Sequence, residues 1–258
     1  MPSLGQHMGR ALRIADRLDH PAIEADRGAF YLGATAPDIR VITRRDRRVT
    51  HFFDLDHLEH QDSVEQMLVE RPELARPADL DAHTRAFMAG YITHLVLDEV
   101  YIETLYREYF GARSGMADDP FANVLDRALQ FEMNRRELED GTSFTAITSA
   151  LLSSDTSNAV EFLEDDYLAE WREVILDFAS QGPTWDRFPR MMNIHLKRAG
   201  FTEAEIEEFA ANGPSLATRS LEYVSEERVG TYVDTATDLA AARVADYLDA
   251  TDREGATE

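Results

Sequence analysis

The sequence contains no cysteine and a single lysine, Lys197, among its 258 residues. Without thiols there can be no disulfide, no thiolate nucleophile and no cysteine-based zinc site, so any metal must be held by histidine and carboxylate. Basic residues are scarce as well: 26 Lys and Arg stand against 49 Asp and Glu, a formal net charge of −23. That balance argues against a nucleic-acid backbone or an anionic membrane surface as partner, because both demand clustered cations. Near-exclusive use of arginine fits a GC-rich coding bias. No run approaches the ~20 apolar residues of a membrane span. The N-terminal stretch MPSLGQHMGRALRIADRL lacks the apolar core and cleavage site of a secretory signal. The expectation is an acidic, cytoplasmic chain with no integral membrane segment. A nucleophile elbow and a phosphate-cradling glycine loop are also missing.

Sustained strand alternation is absent too, and helical periodicity takes its place. The chain therefore reads as all-α: one multi-helix domain over residues 1–250, with a frayed tail over 251–258. Its centre is a long buried helix at about 80–110, where Phe87, Tyr91, Leu95, Leu97, Ile102 and Leu105 recur at helical intervals with no proline to break the run. Gly90 lies inside that helix at a cost of roughly 1 kcal/mol against alanine, which implies a neighbour approaching its backbone closely. Before it come an amphipathic helix over 6–19, a short one over 22–32, a turn carrying Asp38 and a helix from about Phe53 to Arg71. After it come helices over about 120–138, 143–152, 156–180, 185–199 and 202–211, and a last long one from Pro214 into the 240s, with Gly141 ending the first of these.

His94 and Asp98 sit four residues apart on the central helix, so their side chains share a face one turn apart. Two ligands at that spacing can meet one ion. His7 and His51 lie in equally well-patterned surroundings, and Asp38 is within a short loop excursion of His51. Mixed nitrogen and oxygen ligands of this kind suit zinc or a similar divalent ion with a position left for water. Four arginines, Arg44, Arg45, Arg47 and Arg48, stand just before His51 and suggest an electropositive lip for a small anionic substrate. The other histidines carry no comparable argument. His57 and His60 lie among acids, and His20, His83 and His195 read as surface or helix-end residues.

The order His7 in QHMGRAL, Asp38 in ATAPDIR, His51 in THFFD, and His94 with Asp98 in GYITHLVLDEV resembles the zinc-dependent phospholipase C family, whose superfamily includes the S1/P1-type nucleases. The resemblance covers roughly residues 1–110. It implies a phospholipase C/P1 nuclease-like helical fold in which Asp38, His51, His94 and Asp98 bind one ion, while Asp98 bridges to a second held by His7. Members of the family also hold a third zinc through a further His after the HxxxD motif and a HxxxE pair. Here DEVYIETLYREYF supplies Glu99, Glu103 and Glu108 but no histidine. Secreted members use an N-terminal Trp for the second ion, where this sequence begins MPSL, and Glu132 is the candidate replacement.

The functional expectation is a metal-dependent hydrolase of phosphoesters, a phosphoric ester hydrolase with metal-activated water as nucleophile and Asp38 orienting or deprotonating that water. One or two divalent ions are expected, zinc first, with manganese or iron as alternatives. The substrate would be a small anionic phosphoester or lipid headgroup. Two other readings stay open: a non-catalytic metal-binding or scaffold module of the same fold, and a dinuclear-iron redox protein.

Overall fold

The computed structural model describes residues 3–157 and 160–254. Among them every regular element is helical and no strand occurs, as the periodicity implied. Helix α7, Ala82–Tyr101, is apolar around most of its circumference and accordingly buried over nearly its whole length. It begins at Asp81, whose carboxylate accepts from the Thr84 N–H at 2.9 Å. The predicted single helix continues to Phe110, but from Ile102 its turns widen into a π-helix.

Three partners frame α7. Helix α3, Arg27–Gly33, crosses it at Gly33 and Gly90. A Cβ on Gly90 would stand 1.9 Å from the Phe30 carbonyl oxygen, and one on Gly33 would stand 1.9 Å from that of Phe87. The two glycines thus let two backbones meet with no side chain between them. Helix α14, Glu226–Glu254, runs along another side, its Tyr232 hydroxyl 3.4 Å from the Leu97 carbonyl. Helix α1, Leu4–Leu18, bridges α7 to α8, Phe121–Leu138, where Asn134 Oδ1 accepts from the Gly5 N–H at 2.8 Å. One apolar cluster extends from Met8 to Leu248.

Several boundaries differ from the periodic reading. The segment 22–32 splits into α2, Pro21–Glu24, and α3. Asp38 lies on a 3-10 turn, Ala36–Ile39, followed by α4, Arg40–Thr43, and α5, Arg47–His51. The helix expected from Phe53 shrinks to α6, Ser63–Glu70, because Asp62 caps it and Glu99 accepts from both the Ser63 N–H and hydroxyl. Gly141 opens a helix, α9 to Ser153, instead of closing one, with Asp140 as its cap. Helices α10, Asp165–Ala179, α11, Phe188–Arg198, and α12, Glu203–Ala211, follow. The long C-terminal helix is two, α13, Gly213–Val224, and α14, broken at Ser225, whose φ of 80° no helix can continue through. Of the predicted tail, the backbone to Glu254 belongs to α14, and residues 255–258 lie outside the described residues.

Candidate metal centre

The glycine crossing sets the first ligand. By bringing α3 against α7 it places the Ala34 carbonyl 3.0 Å from His94 Nδ1. A carbonyl can only accept, so Nδ1 carries the proton and Nε2 presents its lone pair to the interior. Asp98 follows one turn later on the same face. The 3-10 turn bearing Asp38 is tied down by α10, whose Trp171 indole N–H donates to the Thr35 carbonyl at 3.1 Å. His51 ends α5, where the Tyr91 hydroxyl of α7 donates to the Thr50 carbonyl and Thr50 Oγ1 lies 2.9 Å from His51 Nδ1. His7 arrives on α1 with its ring stacked on that of His94, centroids 3.7 Å apart and nearly parallel.

Five side chains from four separate segments therefore converge. His7 Nε2 is 3.5 Å from Asp98 Oδ1, His51 Nε2 is 3.6 Å from Asp38 Oδ1 and 3.4 Å from Asp98 Oδ2, and His94 Nε2 is 3.9 Å from Asp98 Oδ2. They form two overlapping groups of metal-compatible geometry, His7 with His94 and Asp98, and Asp38 with His51 and His94. His7, His51, His94 and Asp98 are all but sealed from solvent, whereas one fifth of the Asp38 side chain is exposed. His7 Nε2, His51 Nε2, His94 Nε2 and Asp98 Oδ1 have no hydrogen-bond partner at all. Orphaned lone pairs at such depth cost roughly 1–3 kcal/mol each unless something answers them.

The electrostatics suit a cation. Burial drives the His94 pKa down to about 3 and lowers that of His51, with the Arg47 charge adding to the second. Both imidazoles are neutral and free to donate a lone pair. Burial pushes the Asp38 carboxyl up, but the neighbouring His51 and His94 rings outweigh it and hold the pKa at about 2. For Asp98 the same contest, with His7, His94 and Arg47 against burial, leaves the carboxyl well below its usual range. Neutral nitrogen donors beside ionised carboxylates are the donor set that a divalent ion requires.

Arg47 enters this centre in a way the sequence did not announce. Its Nη2 donates to Asp98 Oδ2 at 2.5 Å, in a buried ion pair. The arginine cluster is therefore not an open lip: Arg45 pairs with Glu164 and Arg48 with Asp54, while Arg44 is exposed and closes α4 in the left-handed region. Arg40, on α4 two residues beyond Asp38, carries no pattern in the sequence that marks it. It is half-buried, its Nε lacks a partner, and no ion pair with a carboxylate occupies it among the described residues.

Glu132 lies outside both groups. Arg135 and Arg136 hold its two oxygens at 2.8–3.0 Å, which answers its charge without an ion. His57 and His60 are exposed on the 53–62 loop rather than on a helix. His20 caps α2 through Nδ1, and His83 Nδ1 meets Asp26 at 2.8 Å, partners that sequence spacing could not supply. The side chain of His195 lies outside the described residues.

Residues 6–101 match the family model for zinc dependent phospholipase C, a stretch from α1 to the end of α7 that includes all five converging residues. The resemblance carried by the His and Asp pattern is thus shown over that segment. No curated protein and no solved structure matches the chain. No helix among the described residues is long and apolar enough to cross a membrane.

Proposed function

We propose that this protein is a metal-dependent hydrolase of phosphoesters, with zinc as the ion the family match favours. The observation that carries the reading is the convergence of four buried, unpartnered atoms, His7 Nε2, His51 Nε2, His94 Nε2 and Asp98 Oδ1, on a space beside the ionised Asp38. A divalent ion held by these residues supplies Lewis acidity, lowering the pKa of water and neutralising charge on a phosphoryl oxygen. Asp38, the one member of the set with solvent access, orients the attacking water by accepting its hydrogen bond. With a pKa of about 2 it is a weak base, so the water's proton passes on to solvent. Arg40, lacking a carboxylate partner beside Asp38, is the guanidinium placed to grip a small anionic group through paired N–H donors. Arg45 and Arg48 are already committed to Glu164 and Asp54 and take no part.

A non-catalytic module with a structural ion is favoured by one observation: four of the five side chains are almost wholly enclosed. A metal-supplemented screen of small aryl phosphates and phosphodiesters beside single-stranded nucleic acid separates the two readings. Hydrolysis of a small ester that disappears in His94→Ala, with KM raised in Arg40→Gln, is the expected result. Nuclease activity without small-ester activity would sink the proposed substrate class. Silence across both panels in a metal-loaded protein would leave the structural-ion module, and iron with a visible charge-transfer band would point to a redox centre.

A further inference from the structure

Two features of the cluster bear on how many ions it can hold. His94 belongs to both groups of candidate ligands, yet its Nδ1 proton is spent on the Ala34 carbonyl, which leaves one lone pair, at Nε2. One lone pair serves one ion, so the two groups compete for the same nitrogen. The second feature is the Arg47 guanidinium, buried and bonded to Asp98 Oδ2. Asp98 is the carboxylate that would have to bridge a pair of ions, and its second oxygen is already taken by a fixed positive charge. Among the described residues, the carboxylates in the cluster are Asp38 and Asp98. One divalent ion and Arg47 set three positive charges against those two; a second ion would raise the sum to five, in a site shielded from water, where like charges repel strongly.

We propose that the centre binds a single divalent ion anchored at His94, and that Arg47 occupies the place on Asp98 that a second ion would need. The inference rests on the metal reading of the cluster given above. It makes Arg47 a built-in monovalent cation beside the ion, never removed by chelators, holding Asp98 ionised and turned toward the ligand set.

The test counts ions. Untagged protein, stripped with chelator, is reloaded with excess Zn²⁺ or Mn²⁺, desalted and assayed for metal per chain, with electron paramagnetic resonance on the Mn²⁺ form to tell an isolated ion from a spin-coupled pair. Wild type is expected to hold one ion with the spectrum of isolated Mn²⁺. Arg47→Lys, which keeps a cation, should also hold one, and Arg47→Met, which frees Asp98 Oδ2 while keeping an apolar stem, should gain a second with at least tenfold tighter binding than wild type shows for it. Two ions or a coupled spectrum in wild type would overturn the proposal while leaving the hydrolase reading intact, and this readout does not depend on whether any variant folds. One ion in a helical, folded Arg47→Met would remove Arg47 as the cause and overturn it too. No bound metal in wild type would overturn both the inference and the reading on which it rests.

Discussion

Two buried polar clusters share helix α1, and they are built on opposite terms. On one side, Gln6, Arg10 and Arg13 reach Glu137 of α8: Arg13 Nη1 lies 2.7 Å from Oε2, and Arg10 and Gln6 both donate to Oε1. Both carboxylate oxygens have partners, and a Cβ on Gly9 would collide with the glutamate at 2.3 Å, so the helices are drawn together around it. On the other side His7 faces α7 with both ring nitrogens unpartnered, among three more orphaned atoms on His51, His94 and Asp98. Folding alone explains how the Glu137 charge is answered, although Gln6 Oε1 and Arg10 Nε beside it stay unpaired. The second cluster carries unanswered polar atoms at the same depth, which a stable fold does not accumulate without a ligand to answer them.

Variants that exchange the fates of the two clusters give the largest effects. His94→Ala and Asp98→Ala should each lose bound metal, since removing one ligand leaves the ion poorly held and the remaining carboxylate unneutralised. Glu137→Gln should keep its metal but lose about 3 kcal/mol of stability, because Arg10 is left buried without its counter-charge. His57→Ala, on an exposed loop, should change neither. Elemental analysis and denaturant titration on the four proteins decide the matter. Equal metal content in all of them would erase the distinction between the clusters.

The α3–α7 crossing links packing to the centre, and its breakage should register in both. Gly90→Ala sets a methyl group against the Phe30 carbonyl and should cost about 3 kcal/mol, the upper end of overpacking penalties. The displaced Ala34 carbonyl no longer fixes His94, so metal affinity should fall 10–100-fold, the usual scale for losing an outer hydrogen bond to a ligand. Isothermal titration with zinc and chemical denaturation read the two effects separately. A destabilised variant with wild-type affinity would detach the crossing from the site.

How much of this was legible in the sequence follows from the same contrast. The 3.6-residue repeat exposes a helix wherever one face is apolar, so α1, α7 and α8 were readable, as was the close approach at Gly90. His94 and Asp98 were readable because one helix carries them both, and the ordered motifs around His7, Asp38 and His51 supplied the rest of the candidate set. Arg47 was readable only as one of four arginines near His51; its bond to Asp98 and the place of Arg40 were not, because each stands on a helix of four or five residues whose direction depends on tertiary contacts such as Tyr91 to Thr50. The break at Ser225 hid inside an unbroken apolar repeat, and the 53–62 loop hid because Phe53 and Leu55 mimic the start of one. Glu132 stood out as a spare ligand from its place in a patterned helix, where the structure pairs it with the arginines three and four residues on.

The smallest expected effect lies away from both clusters, at the N-terminus of α3. Asp26 accepts from the Ala29 N–H at 2.8 Å, and from His83 and Ser154. Burial raises its pKa, but these three hydrogen bonds prevail and the carboxyl sits below its usual value. A folded pKa below the unfolded one means that the stabilisation is fully present above about pH 4 and is lost as pH falls through the folded pKa. Asp26→Ala should therefore cost about 1 kcal/mol at neutral pH, the usual worth of such a cap, and converge toward wild type in acid. Urea midpoints measured from pH 7 down to pH 3 would show the gap closing. A constant gap would assign the loss to packing.

The central claim, that the orphaned atoms around His94 are metal ligands, is tested most directly by an anomalous-scattering map of crystals of untagged protein soaked in zinc or manganese. A single strong peak is expected at His94 Nε2, within one of the two groups that share it, His7 with Asp98 or Asp38 with His51, and absent in His94→Ala. Density for water alone in that space, with metal content at background in the same crystals, would contradict it.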